Sequence, residues 1–137
     1  MCIRDSFGAV RRNGGTDLLI QINPASGTFV PGAFGGSDYA EIPAVAGLNA
    51  VDDIAVCPTA CTLYGVFNEG TTTQTNHLAT INPLTGASAD IGDTGVTDIE
   101  GLTCDSSGIL TASTGGGGTN PNSFFELNIG NLSLIHI

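Results

Sequence analysis

The residues able to do chemistry in this chain are mostly carboxylates. Asp90, Asp93, Asp98, Glu100 and Asp105 crowd one short stretch, and Asp52 and Asp53 form a second acidic point. Carboxylate oxygens gathered at turns are the ligands that calcium takes. Asp90, Asp93, Asp98 and Glu100 are therefore the candidate calcium ligands, and calcium is the only cofactor the sequence suggests. The stretch lacks the regular Asp-x-Asp-x-Asp-Gly loop, and turn acids that hydrogen-bond their own backbone are the plainer reading. His77 has no Gly-x-Ser-x-Gly element to serve and no spaced aspartate in sequence, so no catalytic residue is assigned. The run of four glycines at 115–118 precedes neither a lysine nor a helix signal, so it reads as an inter-strand loop and not as a phosphate cradle.

Cys57 and Cys61 flank the turn Pro58-Thr59-Ala60, and a disulfide between them would close the hairpin mouth. That bond is feasible if the two Cβ atoms lie within about 4.5 Å; otherwise these are two small, partly buried thiols. Cys104 has no comparable neighbour and reads as a buried hydrophobe, and these cysteines with His77 make no zinc ligand set.

Charge narrows the partners. The chain carries 13 acidic residues against 3 basic ones, no lysine and a net charge of −10. Nucleic acid is excluded as a partner, since binding there rests on Lys and Arg neutralising phosphate. Anionic lipid is a poor partner for the same reason, and no membrane insertion is expected. Low charge content with abundant Gly, Thr, Ala, Asn and Ser favours short strands and turns over helices.

The elements that must position these residues emerge from comparing the chain with itself. Ile22-Asn23-Pro24-Ala25-Ser26-Gly27 recurs as Ile81-Asn82-Pro83-Leu84-Thr85-Gly86, an offset of 81 − 22 = 59, and Leu19 aligns with Leu78. A degraded third copy begins at Phe124, 124 − 78 = 46 residues further on. A second unit, Asp53–Cys57 with Thr62–Val66, echoes as Asp98–Cys104 with Ile109–Ala112. There Cys57 meets Cys104 and Leu63 meets Leu110, each 47 residues apart (104 − 57; 110 − 63). In that alignment Gly108 occupies the place of Cys61.

Asn-Pro-x-Ser/Thr-Gly is a tight-turn sequence. Pro presets φ, Gly supplies the left-handed residue, and Asn holds the turn through its side chain. Asn23, Pro24 and Gly27, and likewise Asn82, Pro83 and Gly86, should then join paired strands. The predicted strands are 16–23 with 28–30, 51–57 with 62–67, 76–82 with 87–91, and 99–104 with 109–113. One complete four-stranded unit spans 51–91, with half a unit before it and most of one after. The fold class is all-β: a partial β-propeller of four-stranded antiparallel meander blades, about two and a half of them, with a β-sandwich or solenoid as alternative. Loops at 32–49 and 114–122 would stand at the blade tops.

The strings TLYGVFN, HLATINPLTGASADIG and DIEGLTCDSSGIL resemble propeller blades of secreted or surface-anchored bacterial proteins, in the style of the NHL and YVTN repeats. That pattern runs D-I-x-G-L-x-x-D-x-x-G-x-L-Y-G, then L-x-x-I-D-P-x-T-G. Asp98, Ile99, Gly101, Leu102, Asp105, Gly108 and Leu110 match its first part in the later unit, and Leu63, Tyr64 and Gly65 in the earlier one. The resemblance implies an extracellular or cell-surface location and says little about activity, because propellers host many functions. Two functions follow as expectations. One is a non-catalytic scaffold or recognition module that binds protein or carbohydrate through its loops. The other is a propeller enzyme of lyase, glycosidase or lactonase type, using Asp52, Asp53, Asp98 and Glu100 with calcium.

The two ends carry a further expectation. Met1-Cys2-Ile3-Arg4-Asp5-Ser6 can be encoded by ATG TGT ATA AGA GAC AG and a pyrimidine. The reverse complement, CTG TCT CTT ATA CAC AT, reads Leu-Ser-Leu-Ile-His-Ile, which is Leu132-Ser133-Leu134-Ile135-His136-Ile137. The element resembles a transposase end used in sequencing libraries, so residues 1–6 and 132–137 read as adapter and 7–131 as the fragment of a natural protein. Cys2, His136 and the sequon at Asn131 then drop out, the tail is neither strand nor anchor, and a signal peptide is not observable. The missing blades of the parent chain become expected partners, and an incomplete ring should leave strand edges and apolar faces open.

Overall fold

The computed structural model describes residues 6–69 and 71–137. Every element in them is a strand: β1 (Ser6–Val10), β2 (Asp17–Ile22), β3 (Ala40–Ile42), β4 (Ala50–Cys57), β5 (Thr62–Asn68), β6 (Thr75–Ile81), β7 (Ser88–Thr97), β8 (Ile99–Cys104), β9 (Leu110–Thr114), β10 (Phe124–Leu127) and β11 (Leu134–His136). They form three antiparallel meander sheets: a first sheet β1-β2-β3, a middle sheet β4-β5-β6-β7 and a last sheet β8-β9-β10-β11. The protein is all-β with open sheets, consistent with part of a propeller or with a sandwich. Among the described residues no helix is long and apolar enough to cross a membrane.

The turn chemistry is visible in both copies. Asn23 Oδ1 accepts the Ala25 amide at 2.9 Å, and Asn82 Oδ1 accepts the Leu84 amide at 2.9 Å. The amides of Gly27 and Gly86 reach back to the carbonyls of Asn23 and Asn82 at 2.7 and 2.8 Å. Both glycines have positive φ, 69° and 75°, which a side chain would strain.

Two apolar cores separate the sheets. Leu19 and Ile42 of the first sheet meet Leu63, Phe67, Ala79 and Ile81 of the middle one. Tyr64, Val66 and Leu78 on the opposite face of the middle sheet meet Leu102, Leu110, Ala112, Phe125 and Leu127 of the last. A sheet covered on both faces should read as an unbroken apolar run, and β5 is buried continuously from Leu63 to Asn68.

Four expectations are corrected. Cys57 bonds to Cys104 and not to Cys61, with the two Cα atoms 5.0 Å apart. The reason is packing between sheets: β4 and β8 run side by side, so equivalent positions of successive repeats face each other, and the bond spans the repeat offset of 47 residues. Cys61 does take the left-handed turn position of its counterpart, with φ 50° against 87° at Gly108. Residues 28–30 make only a single bridge, Ile22 to Phe29, and β2 pairs instead with β3, inside the expected loop 32–49. That loop is thereby split, since 32–39 and 43–49 emerge at opposite ends of β3. β7 continues six residues past Ile91 to Thr97, with register shifts that bend it toward β8. Finally, Leu134–His136 is a strand, paired with β10 in the register Phe125–His136 to Leu127–Leu134. Edge pairing is made by main-chain groups, so any extended segment that reaches a free edge can supply it.

Candidate functional site

The same registers that set the turns also place a polar residue at the start of β2 and of β6. Asp17 opens β2 and Asn76 lies at the start of β6, 76 − 17 = 59 residues apart, which is the repeat offset. Each reaches across to the first strand of the next sheet. Asp17 Oδ2 accepts the Val51 amide at 2.8 Å, and its other oxygen accepts the Arg12 amide at 3.0 Å. Asn76 Oδ1 accepts the Ile99 amide at 3.0 Å. Both side chains are buried, and each satisfies an outward amide of an edge strand, β4 or β8, beside its β-bulge.

The bulges themselves project acids. Asp52 occupies the bulge of β4 and Glu100 that of β8, 48 residues on (100 − 52). Asp52 is held from two sides, by Arg11 Nη2 at 2.7 Å and by Asn76 Nδ2 at 3.0 Å. Burial pushes the Asp52 carboxyl above its ordinary value of 3.8, against the pull of Arg11 and Asn76, and the Glu100 charge adds to the rise. Asp98 stands between β7 and β8 in a left-handed conformation, φ 63°. Its Oδ2 accepts the Gly117 amide at 2.8 Å, and its carbonyl accepts the Gly115 amide at 2.9 Å.

The glycine run wraps this acidic point closely. A Cβ on Gly115 would lie 2.6 Å from Glu100 Cδ, and one on Gly118 would lie 2.7 Å from the Thr97 carbonyl oxygen. Gly116 faces open space. The segments 11–16, 71–74 and 115–123 thus meet at one end of the three sheets. At that end a polar recess of about 210 Å³ lies between Arg11, Asp52, Thr72, Asp98 and Glu100. A shallower hollow of about 600 Å³ adjoins it, lined by Arg11, Arg12, Asn49 and Glu69.

The expected calcium ligands are divided. Asp98 and Glu100 lie at this end. Asp90 pairs with His77, Nδ1 standing 3.1 and 3.3 Å from its two oxygens. Asp93 accepts from the Thr75 hydroxyl at 2.9 Å and from the Gly95 amide at 2.8 Å. Among the described residues no group of three or more His, Cys, Asp or Glu is placed to hold a metal ion. Asp53, suspected as a channel acid, instead accepts the Leu102 amide at 2.7 Å and so ties β4 to β8.

No protein-family model matches the chain, and no curated protein matches it. The site is therefore read from its own chemistry. Residue-by-residue reading missed Arg11, Asp17 and Asn76. The signal was present for two of them, since Asp17 and Asn76 stand in the repeat that the turn motif had already revealed. The Asp90 partner of His77 depends on a register shift between Leu78 and Ala79 that no spacing announces.

Proposed function

We propose that this chain is part of a β-propeller of the NHL and YVTN style, a non-catalytic scaffold or recognition module of an exported protein. Its partner, a protein or a glycan, binds at the end built by segments 11–16, 71–74 and 115–123. One observation carries this reading: the acids an enzyme would need are used as joints. Asp53 holds the Leu102 amide, Asp98 holds the glycine loop, and Asp52 is shared between Arg11 and Asn76. An acid that holds a backbone amide has little freedom to shuttle a proton or receive a substrate. The disulfide between Cys57 and Cys104 supports an oxidising compartment, and no described cysteine is a free thiol.

The enzyme reading has one observation in its favour, the raised Asp52 carboxyl in a cavity, since perturbed acids gather at active sites. Burial beside a structural amide accounts for that shift without a reaction.

The test uses glycan and peptide libraries against the intact protein and Gly116→Trp, which fills the loop end where open space tolerates it. Binders that lose at least tenfold in affinity on Gly116→Trp, while Asp90→Asn leaves them unchanged, support the recognition surface. Turnover of a library substrate that disappears with Asp52→Asn, or calorimetric heat with calcium alone that disappears with Glu100→Gln, replaces it with the enzyme.

A further inference from the structure

We infer that the open face of the last sheet binds the open face of the first sheet of a second copy of this chain, head to tail. Two interfaces of this kind already lie inside the molecule. Each sheet presents one face to its successor and the opposite face to its predecessor, and the repeat places equivalent residues on equivalent faces. Toward its successor the first sheet offers Leu19 and the middle sheet Leu78, both fully buried. The residue in that register on the last sheet is Phe124, which pairs with Ser113 and is 58% exposed. Beside it a cleft of about 220 Å³ runs between β8 and β9.

Toward its predecessor the middle sheet offers Phe67, Ala79 and Ile81, all buried. The matching residues of the first sheet are Val10, Ile20 and Ile22. Phe7, Ala9 and Leu19 point toward the middle sheet, so strand alternation puts Gly8, Val10, Leu18, Ile20 and Ile22 on the outer face. The pairings Gly8–Ile20 and Val10–Leu18 agree. Val10 is 41% exposed, and Ile20 and Ile22 are half-buried. The outer face of the first sheet thus repeats the apolar predecessor face of the middle sheet, while the last sheet repeats the successor face at Phe124, with Thr111, Ser113 and Glu126 in the places of Tyr64, Val66 and Thr80.

Faces of opposite kind give a heterologous contact, which either closes into a ring or grows. The net charge of −10 opposes it, so added salt should strengthen it.

Light scattering on size-separated protein, with Phe124→Asp, Ile20→Asp and Val10→Asp, reads this directly. The unaltered chain is expected at twice the monomer mass or more, with the associated fraction rising with salt. Each variant alone should run as a monomer with an unchanged circular-dichroism spectrum, because each lacks one face. A one-to-one mixture of Phe124→Asp with Ile20→Asp should restore a species of two chains and no larger one, since one intact face of each kind remains. Val10→Asp, at the more exposed position, replaces Ile20→Asp if the latter loses its fold. A monomeric unaltered chain in high salt, or a mixture that stays monomeric, overturns the inference.

Discussion

The two internal interfaces are built on one plan and finished differently. Both pack Leu19 or its counterpart Leu78 into an apolar layer, and both use a polar residue to catch the first free amide of the next strand. Between the first and middle sheets that residue is a carboxylate, Asp17. Between the middle and last sheets it is an amide, Asn76. The difference follows from what stands beside them. Asn76 must donate to Asp52 as well as accept from Ile99, and an amide does both where an ionised carboxylate cannot donate. Asp17 receives two backbone amides and has no carboxylate to satisfy in its own bonds. The second interface also carries the Cys57–Cys104 bond and the Asp53–Leu102 tie. A repeated position therefore conserves the job of accepting an amide while its charge is set by local neighbours.

The largest expected effect separates the interfaces by covalent chemistry. Replacing Cys57 and Cys104 by Ser should cost about 4 kcal/mol by the loop-closure estimate for a loop of 47 residues. Denaturant unfolding measures it, and a loss under about 1 kcal/mol would mean that the bond adds little to an already closed interface.

Swapping the two clamps comes next. Asn76→Asp puts a second carboxylate beside Asp52 and should cost roughly 2–3 kcal/mol at neutral pH, much of it recovered on acidification. Asp17→Asn retains one acceptor and should cost about 1 kcal/mol. Equal losses for the two would break the account of why they differ.

The glycine loop supplies a smaller contrast. Gly115→Ala should destabilise by about 1–3 kcal/mol, because the added methyl meets Glu100. Gly116→Ala should be neutral within about 0.5 kcal/mol. Melting temperatures of the pair decide it.

The smallest effect is electrostatic. Asp52 titrates above its unfolded value of 3.8, so the folded state binds the proton more tightly. Its penalty is absent below that value and grows as pH rises through the interval up to the folded pKa. Asp52→Asn should remove this fall in stability with rising pH and leave neutral-pH stability unchanged or slightly improved, since Arg11 is exposed enough to be solvated when unpaired. A stability curve in which the variant falls as steeply as the parent would contradict the direction.

Much of this architecture was legible in residue order. The Asn-Pro-x-Ser/Thr-Gly turns marked β2 and β6 to within a residue, because turn geometry is a local property, but gave neither the fate of 28–30 nor the length of β7. The Cys57–Cys104 bond is not legible from spacing along the hairpin, where Cys61 is the nearer cysteine to Cys57. The 47-residue offset between the two cysteines already marked them as equivalent positions, and stacked repeats bring equivalents together. β3 is three residues long and too short to show alternation. Its place depends on the edge that β2 leaves free. The clamp residues were hidden by type, since Asp17 and Asn76 share a position and a role without sharing a charge. The closeness of Gly115 to Glu100 arises from the bulge that turns Glu100 out of β8 beside the end of β9, and a bulge of one residue leaves no mark in the strand pattern.

The account rests on successive repeats lying face to face, and the disulfide tests that most directly. Unreduced protein cleaved after Asp and Glu places Cys57 within 54–69 and Cys104 within 101–105. Mass spectrometry should find these two peptides joined, with fragmentation assigning the bond to Cys57. Recovery of 101–105 as a free peptide, with Cys57 bonded to Cys61, would contradict the arrangement of the sheets.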